Sequence, residues 1–124
     1  MGILVSNGAA ITFPAFATQQ VITAVRARRA SDDANPLVKA LASSVTVAAN
    51  EQFNFAEGAL DFKHDSGDYT DDYVEALVEG YWGTGGSTNM EIDLMVGSSP
   101  YSVCSDTNYA QQSTNDWDIA AEAD

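Results

Sequence analysis

Asp65, Asp68, Asp71 and Asp72 crowd one short segment, with Gly67 among them. Carboxylate oxygens on a glycine-containing loop are the ligands calcium takes. The spacing lacks the EF-hand pattern, a glycine at the sixth position with a glutamate at the twelfth. Calcium and a plain solvated acidic turn therefore both fit the segment. His64 lies between Lys63 and Asp65 and is the only histidine, and Cys104 is the only cysteine. A nucleophilic thiol would need that one histidine beside it. Zinc needs three or four His, Cys or carboxylate ligands, and one His plus one Cys is a poor start. Gly83, Gly85 and Gly86 precede no lysine and match neither GxxxxGKS/T nor GxGxxG, so they are expected at a hairpin tip and not around a phosphate. A single cysteine excludes an intrachain disulfide, and a half-buried free thiol is expected at Cys104. These groups do not assemble into an acid, base and nucleophile set. The chain is expected to be non-catalytic and, apart from the calcium candidates, to hold no cofactor.

Charge is segregated along the chain. Arg26, Arg28, Arg29, Lys39 and Lys63 are its five cations, and everything after His64 is acidic only. The net charge of −13 therefore belongs to the second half. That charge repels nucleic acid phosphates and anionic membranes, so neither is an expected partner. Residues 1–25 carry no charged side chain. They hold Ile3, Val5, Ile11, Phe13 and Phe16, and an uncharged apolar edge left bare would invite aggregation. Residues 1–25 are thus expected to be a docking segment, with residues 26–124 as one β-sandwich domain. Ile3, Val5, Ile11, Phe13, Phe16, Arg26, Arg28 and Arg29 are the expected partner-binding residues.

The elements follow from periodicity. Asn7-Gly8 marks a turn between two short extended runs. Residues 20–29 alternate, with Val21, Thr23, Val25, Ala27 and Arg29 on one side and Gln20, Ile22, Ala24, Arg26 and Arg28 on the other. Asn35-Pro36 is a helix-start pair, which predicts a short helix through Leu37, Val38, Ala40 and Leu41. Val45 and Val47, Phe53 and Phe55, and Leu60 and Phe62 each flank one polar residue, as strands do. Glu57-Gly58 is expected to turn one hairpin strand into the next.

Residues 73–82 fit two periods. As a helix, Asp72 would cap and Glu75 would complete a capping box. As a strand, Val74, Ala76, Val78 and Trp82 face inward. The strand is preferred because Met90, Ile92, Leu94 and Val96 alternate cleanly after the glycine-rich tip, and together the two runs make an acidic-out hairpin. Short strands are expected over residues 101–104 and 117–119, with a polar loop over 105–116 and a frayed end over 120–124. The expected fold is all-β: an antiparallel, jelly-roll-like β-sandwich with an extended N-terminal segment and at most one short helix. Its inner face is expected to hold Phe53, Phe55, Leu60, Phe62, Val74, Val78, Trp82, Ile92 and Leu94.

The start of the chain lacks a cationic run and carries Asn7, Thr12, Pro14, Gln19 and Gln20, so no secretory signal is read there. Met1-Gly2 through Ser6 fits the loose N-myristoylation pattern, but a strand beginning at Ile3 is the preferred reading.

The acidic-out run over residues 73–96, its Gly-Thr-Gly-Gly-Ser-Thr tip and the following Gly97-Ser98-Ser99 resemble small β-sandwich proteins of tailed-phage virions, of the capsid decoration or cement type. That resemblance implies a structural role on the outer surface of a virion. It implies binding to the major capsid or another virion protein, self-association into a homo-oligomer, and synthesis in a host cytoplasm. It also implies an N-terminal arm lying on the shell. The alternative is a glycan- or receptor-binding sandwich of a tail or fibre, assisted by calcium, in which Tyr81, Trp82, Tyr101, Tyr109 and Trp117 would serve as sugar platforms.

Overall fold

The computed structural model describes residues 2–28, 37–65, 67, 70–82, 89–104, 109–113 and 117–122. Among these residues the chain is mostly β-strand, with one helix. Its elements run β1 (Gly2–Asn7), β2 (Ile11–Thr12), β3 (Gln20–Arg28), β4 (Leu37–Val47), β5 (Asn54–Phe55), β6 (Asp61–His64), α1 (Asp71–Trp82), β7 (Asn89–Val96), β8 (Ser102–Val103), β9 (Tyr109–Ser113) and β10 (Trp117–Glu122). All pairings are antiparallel. One sheet has the order β10-β1-β6, and a larger one has β4-β3-β7-β8 with β9 also on β7. Strands β2 and β5 form a small third pair.

The uncharged start of the chain is uncharged because it is inside. Strand β1 is the central strand of its sheet, with Val5 opposite both Ile119 and Phe62. Ile3, Val5, Ile11, Phe13 and Phe16 are all at most 7% exposed and belong to the same core cluster as Ile92 and Leu94. Each such side chain contributes about 1.5–3 kcal/mol by leaving water. The expected docking segment is therefore corrected: these residues are core, and residues 1–25 are not a unit apart from 26–124. An uncharged apolar run suits a central strand as well as a docking edge, and only the neighbours tell them apart.

Asn7 does more than turn the chain. Its side chain is fully buried and fully used. Nδ2 donates to the carbonyls of Ala9 (2.9 Å) and Ala56 (3.0 Å), and Oδ1 accepts from the Leu60 amide (2.9 Å). Its own carbonyl accepts from Gly58 N–H at 2.7 Å. Gly58 takes φ 78°, a left-handed value that the third position of a type II turn requires. The Glu57-Gly58 turn is thus present, but it joins strands of different sheets. β5 pairs with β2, and β6 pairs with β1.

Strand β3 holds as expected, with one change of phase. Its register against β4 shifts between Ile22 and Ala24. A bulge of this kind moves following side chains to the other face. That is how Ile22, Val25 and Ala27 all reach one core. Residues 37–41 are corrected from helix to strand, because they pair with β3 along Ala24↔Ala40 to Ala27↔Leu37. Asn35-Pro36, the helix signal, lies outside the described residues.

Residues 71–82 are corrected from strand to helix. Thr70 caps α1: its Oγ1 accepts from the Tyr73 amide at 3.3 Å, and its carbonyl accepts from Val74 N–H at 3.1 Å. Asp72, the expected cap, is instead inside the first turn. Val74, Val78 and Trp82 stand four residues apart, one stripe of a helix, and all are buried. The same three also share one face of a strand, which is why the pattern fits both. The expected 73–96 hairpin is therefore a helix followed by β7, and its tip, residues 83–88, lies outside the described residues. Two further corrections fall late in the chain. The expected 105–116 loop contains β9, and the expected frayed end continues β10 as far as Glu122, opposite Gly2. Every residue expected on the inner face is in the core cluster, with Phe53 only half-buried at its margin.

Candidate functional site

The five cations of the sequence fall into two structural groups, with Arg29 outside the described residues. The first group lies between β3 and β7. Arg26 stands opposite Asp93 and Arg28 opposite Glu91 in the register. Asp93 is 1% exposed and takes both arginines on one carboxylate. Arg26 Nη2 and Arg28 Nε each lie 2.8 Å from Oδ2, and Arg28 Nη2 donates to Oδ1 at 3.2 Å. Arg28 Nη1 lies 2.7 Å from Glu91 Oε2. This is a buried, nearly bidentate cluster held within one sheet. The arginine cluster is expected to pair with acids of this chain or of a neighbour, and Arg26 and Arg28 take the first course, which corrects their expected place among the partner-binding residues. The opposing acids are on the next strand of the same chain, which a charge count along the sequence does not show.

The second group lies where the edges of the two sheets meet. Strand β4 is the outermost strand of the larger sheet among the described residues, and β6 is the outermost of the smaller one. Lys39 reaches from β4 across to β6, donating to the Asp61 carbonyl at 2.8 Å and pairing with the Asp61 carboxylate. Beside this bridge is an open groove of about 290 Å³ lined by Leu37, Val38, Lys39, Asp61, Phe62, Lys63 and His64. Lys63 Nζ lies 3.5 Å from Asp65 Oδ1 at the surface. The groove lining is mixed, with apolar Leu37 and Phe62 beside the charged groups of Lys39, Asp61 and Lys63.

His64 forms one end of the groove. Trp82 Nε1–H donates to His64 Nε2 at 2.8 Å, so the neutral ring carries its proton on Nδ1. Burial pushes the His64 pKa below its ordinary 6.5. Its acceptor nitrogen is occupied by an indole and is not open to take a proton from a nucleophile. The Cys104 thiol is half-buried and is pushed up to about 11 by burial, against a small opposing effect of a backbone hydrogen bond. It is therefore protonated at neutral pH, the opposite of an activated nucleophile.

The acidic turn does not assemble a cation site among the described residues. No three His, Cys, Asp or Glu side chains converge there in a way that holds a metal. The Asp65 side chain, 66% exposed, faces Lys63, and Asp72 is exposed on the first turn of α1. Asp68 and the Asp71 side chain lie outside the described parts. The aromatics are likewise used inside. Trp82 packs against Trp117 at 4.6 Å and Phe62 at 5.2 Å between ring centroids, and both tryptophans are at most 5% exposed. They offer no open face for a sugar. Tyr101 is half-buried, and the side chains of Tyr81 and Tyr109 lie outside the described parts.

The groove was not visible in the sequence. The sequence shows Lys39 and Lys63 only as two of five cations, and Asn35-Pro36 predicts a helix over Leu37 and Val38. The signal that carried information was β4 itself, Leu-Val-Lys-Ala-Leu-Ala-Ser-Ser-Val-Thr-Val, a long uncharged run with one lysine. No family model, no curated protein and no solved structure matches this chain.

Proposed function

We propose that this is a non-catalytic structural protein of a virion, a capsid decoration or cement protein on the outer surface, held by strand addition at β4. The observation that carries the reading is the state of that edge. Strand β4 is the longest strand, it has one charged residue, and it is exposed along most of its length. Val38 is 47% exposed, Val45 37%, and the neighbouring Val21 on β3 43%. Isolated proteins blunt such an edge with charge, proline or a covering loop, and an edge that is outermost among the described residues is a template for another chain.

The remainder of the surface supports the same assignment. The net charge of −13 keeps crowded copies soluble. Many weak strand contacts repeated over a lattice add up, so avidity takes the place of single-site affinity. The partner is the major capsid protein or another virion protein, and the docking element is the β4 edge rather than the buried start of the chain. The experiment is reconstitution of purified protein with shells lacking it. Binding with a gain in resistance to heat and osmotic shock is expected. Absence of both sinks the proposal.

A further inference from the structure

We propose that Asn7-Gly8 is a site of spontaneous amide-to-acid conversion that the fold guards: the native chain shields it, and a chain converted while unfolded is lost to the native state. The proposal is independent of what the protein binds. Asn7 is the one asparagine of the sequence followed by glycine. Glycine has no β-carbon to crowd its own amide nitrogen, so this pair closes on itself most readily. The Gly8 nitrogen attacks Asn7 Cγ. A bond forms between them, the Cγ–Nδ2 bond breaks, and the amide leaves as ammonia with the Gly8 amide proton. Water then opens the cyclic imide at either carbonyl. One opening gives aspartate. The other gives an isoaspartyl link, in which the main chain runs through the side chain.

The folded chain opposes the first step. Asn7 is 0% exposed, at the end of the central strand of its sheet. Nδ2, the leaving group, donates to the Ala9 and Ala56 carbonyls, and Oδ1 accepts from the Leu60 amide. The main chain is held as well: Asn7 N–H donates to the Leu60 carbonyl at 3.1 Å, and the Asn7 carbonyl accepts from Gly58 N–H. Closing the ring expels Nδ2 and so leaves two carbonyls without a donor at a buried position. Neither product then fits the place of the amide. An ionised aspartate only accepts, and would set a buried charge against the Ala9 and Ala56 oxygens. Protonated, it has one hydrogen for two carbonyls. The isoaspartyl link adds a carbon to the main chain where β1 ends, and it turns the carbonyl that accepts from Gly58 into a free carboxylate.

Peptide mapping of the full chain by mass spectrometry tests this. One sample is kept folded in a mildly alkaline buffer, and another is kept in the same buffer with enough guanidinium chloride to unfold it. Conversion at Asn7 is expected to be at least about a hundredfold slower in the folded sample, because only rare open chains react. Portions of the unfolded sample are returned to native buffer over time, and gel filtration separates refolded chains from the rest. The refolded fraction is expected to fall in step with conversion. Refolded chains should carry intact Asn7, and the rest should carry aspartate or isoaspartate in its place. Gly8→Ala sets a β-carbon beside the attacking nitrogen, and is expected to slow conversion and the loss of refolding together. Equal rates of conversion in the folded and unfolded samples overturn the proposal. So do converted chains that refold, or refolding that is lost as fast in Gly8→Ala as in wild type.

Discussion

Strand β3 has a neighbour on each side, and the two sides treat charge in opposite ways. Towards β7, Arg26 and Arg28 close on Asp93 and Glu91 in a cluster almost without water. Towards β4, Arg26 stands opposite exposed Val38, and the nearest cation, Lys39, leaves its own sheet to reach Asp61. Both sides pair a base of the first half with an acid. On the β7 side, however, the pairing is a condition of folding, because the Asp93 carboxylate that holds both arginines is itself out of water. On the β4 side it is a surface contact that water and salt can replace. The positive charge that can take part in binding is therefore the lysine charge, although the arginines are the conspicuous cluster in the sequence.

The comparison breaks most readily at Asp93. Asp93→Ala leaves two guanidinium groups facing one another with little water, and a loss of about 3–5 kcal/mol is expected in urea unfolding. A loss under about 1 kcal/mol would show that the cluster is solvated, and the contrast would collapse.

His64 sharpens the picture on the β4 side through pH. Its folded pKa lies below the unfolded value near 6.5, so the unfolded chain takes up the proton first. The stability it contributes is complete above about pH 6.5 and is lost as pH falls through the folded pKa. Protonation also removes the lone pair that accepts from Trp82. Thermal melts between pH 8 and 5 should show this decline, and tryptophan fluorescence should change with it. His64→Gln keeps an acceptor but does not titrate, so it should flatten that part of the curve. An unchanged slope would place the pH dependence on the carboxylates.

The smallest effect is expected at the exposed pairs. Lys39→Ala and Lys63→Ala should each change stability by no more than about 1 kcal/mol, with the effect shrinking as salt is raised. A cost near that of Asp93→Ala would make the groove rim part of the fold and not a surface for binding.

What the sequence conveyed was period, and what it concealed was partnership. Phe53, Phe55, Leu60 and Phe62 were legible as inner-face residues because alternation requires no knowledge of the neighbouring strand. Val74, Val78 and Trp82 were legible as buried but not as helical, since a spacing of four satisfies both periods. Thr70, one residue before the run, was the overlooked cap. Arg28 and Asp93 come together through a register between strands far apart in the chain, and no local pattern announces it. The same holds for the groove, whose walls belong to the edges of two separate sheets. Asn7 was read as a turn residue, while its buried amide also fastens β1 to the Ala56 carbonyl and the Leu60 amide.

Strand β1 has one further consequence, for the time course of folding. One of its two neighbours, β10, lies at the other end of the described residues. During synthesis this apolar strand leaves the ribosome well before β10, and half of its hydrogen-bonding edge must wait until β10 follows. Pairings that span so much chain close slowly, and an open strand edge is where nascent chains stick to one another. The nascent chain is therefore most exposed to misassembly before β10 emerges, at a strand that becomes the centre of its sheet in the finished molecule.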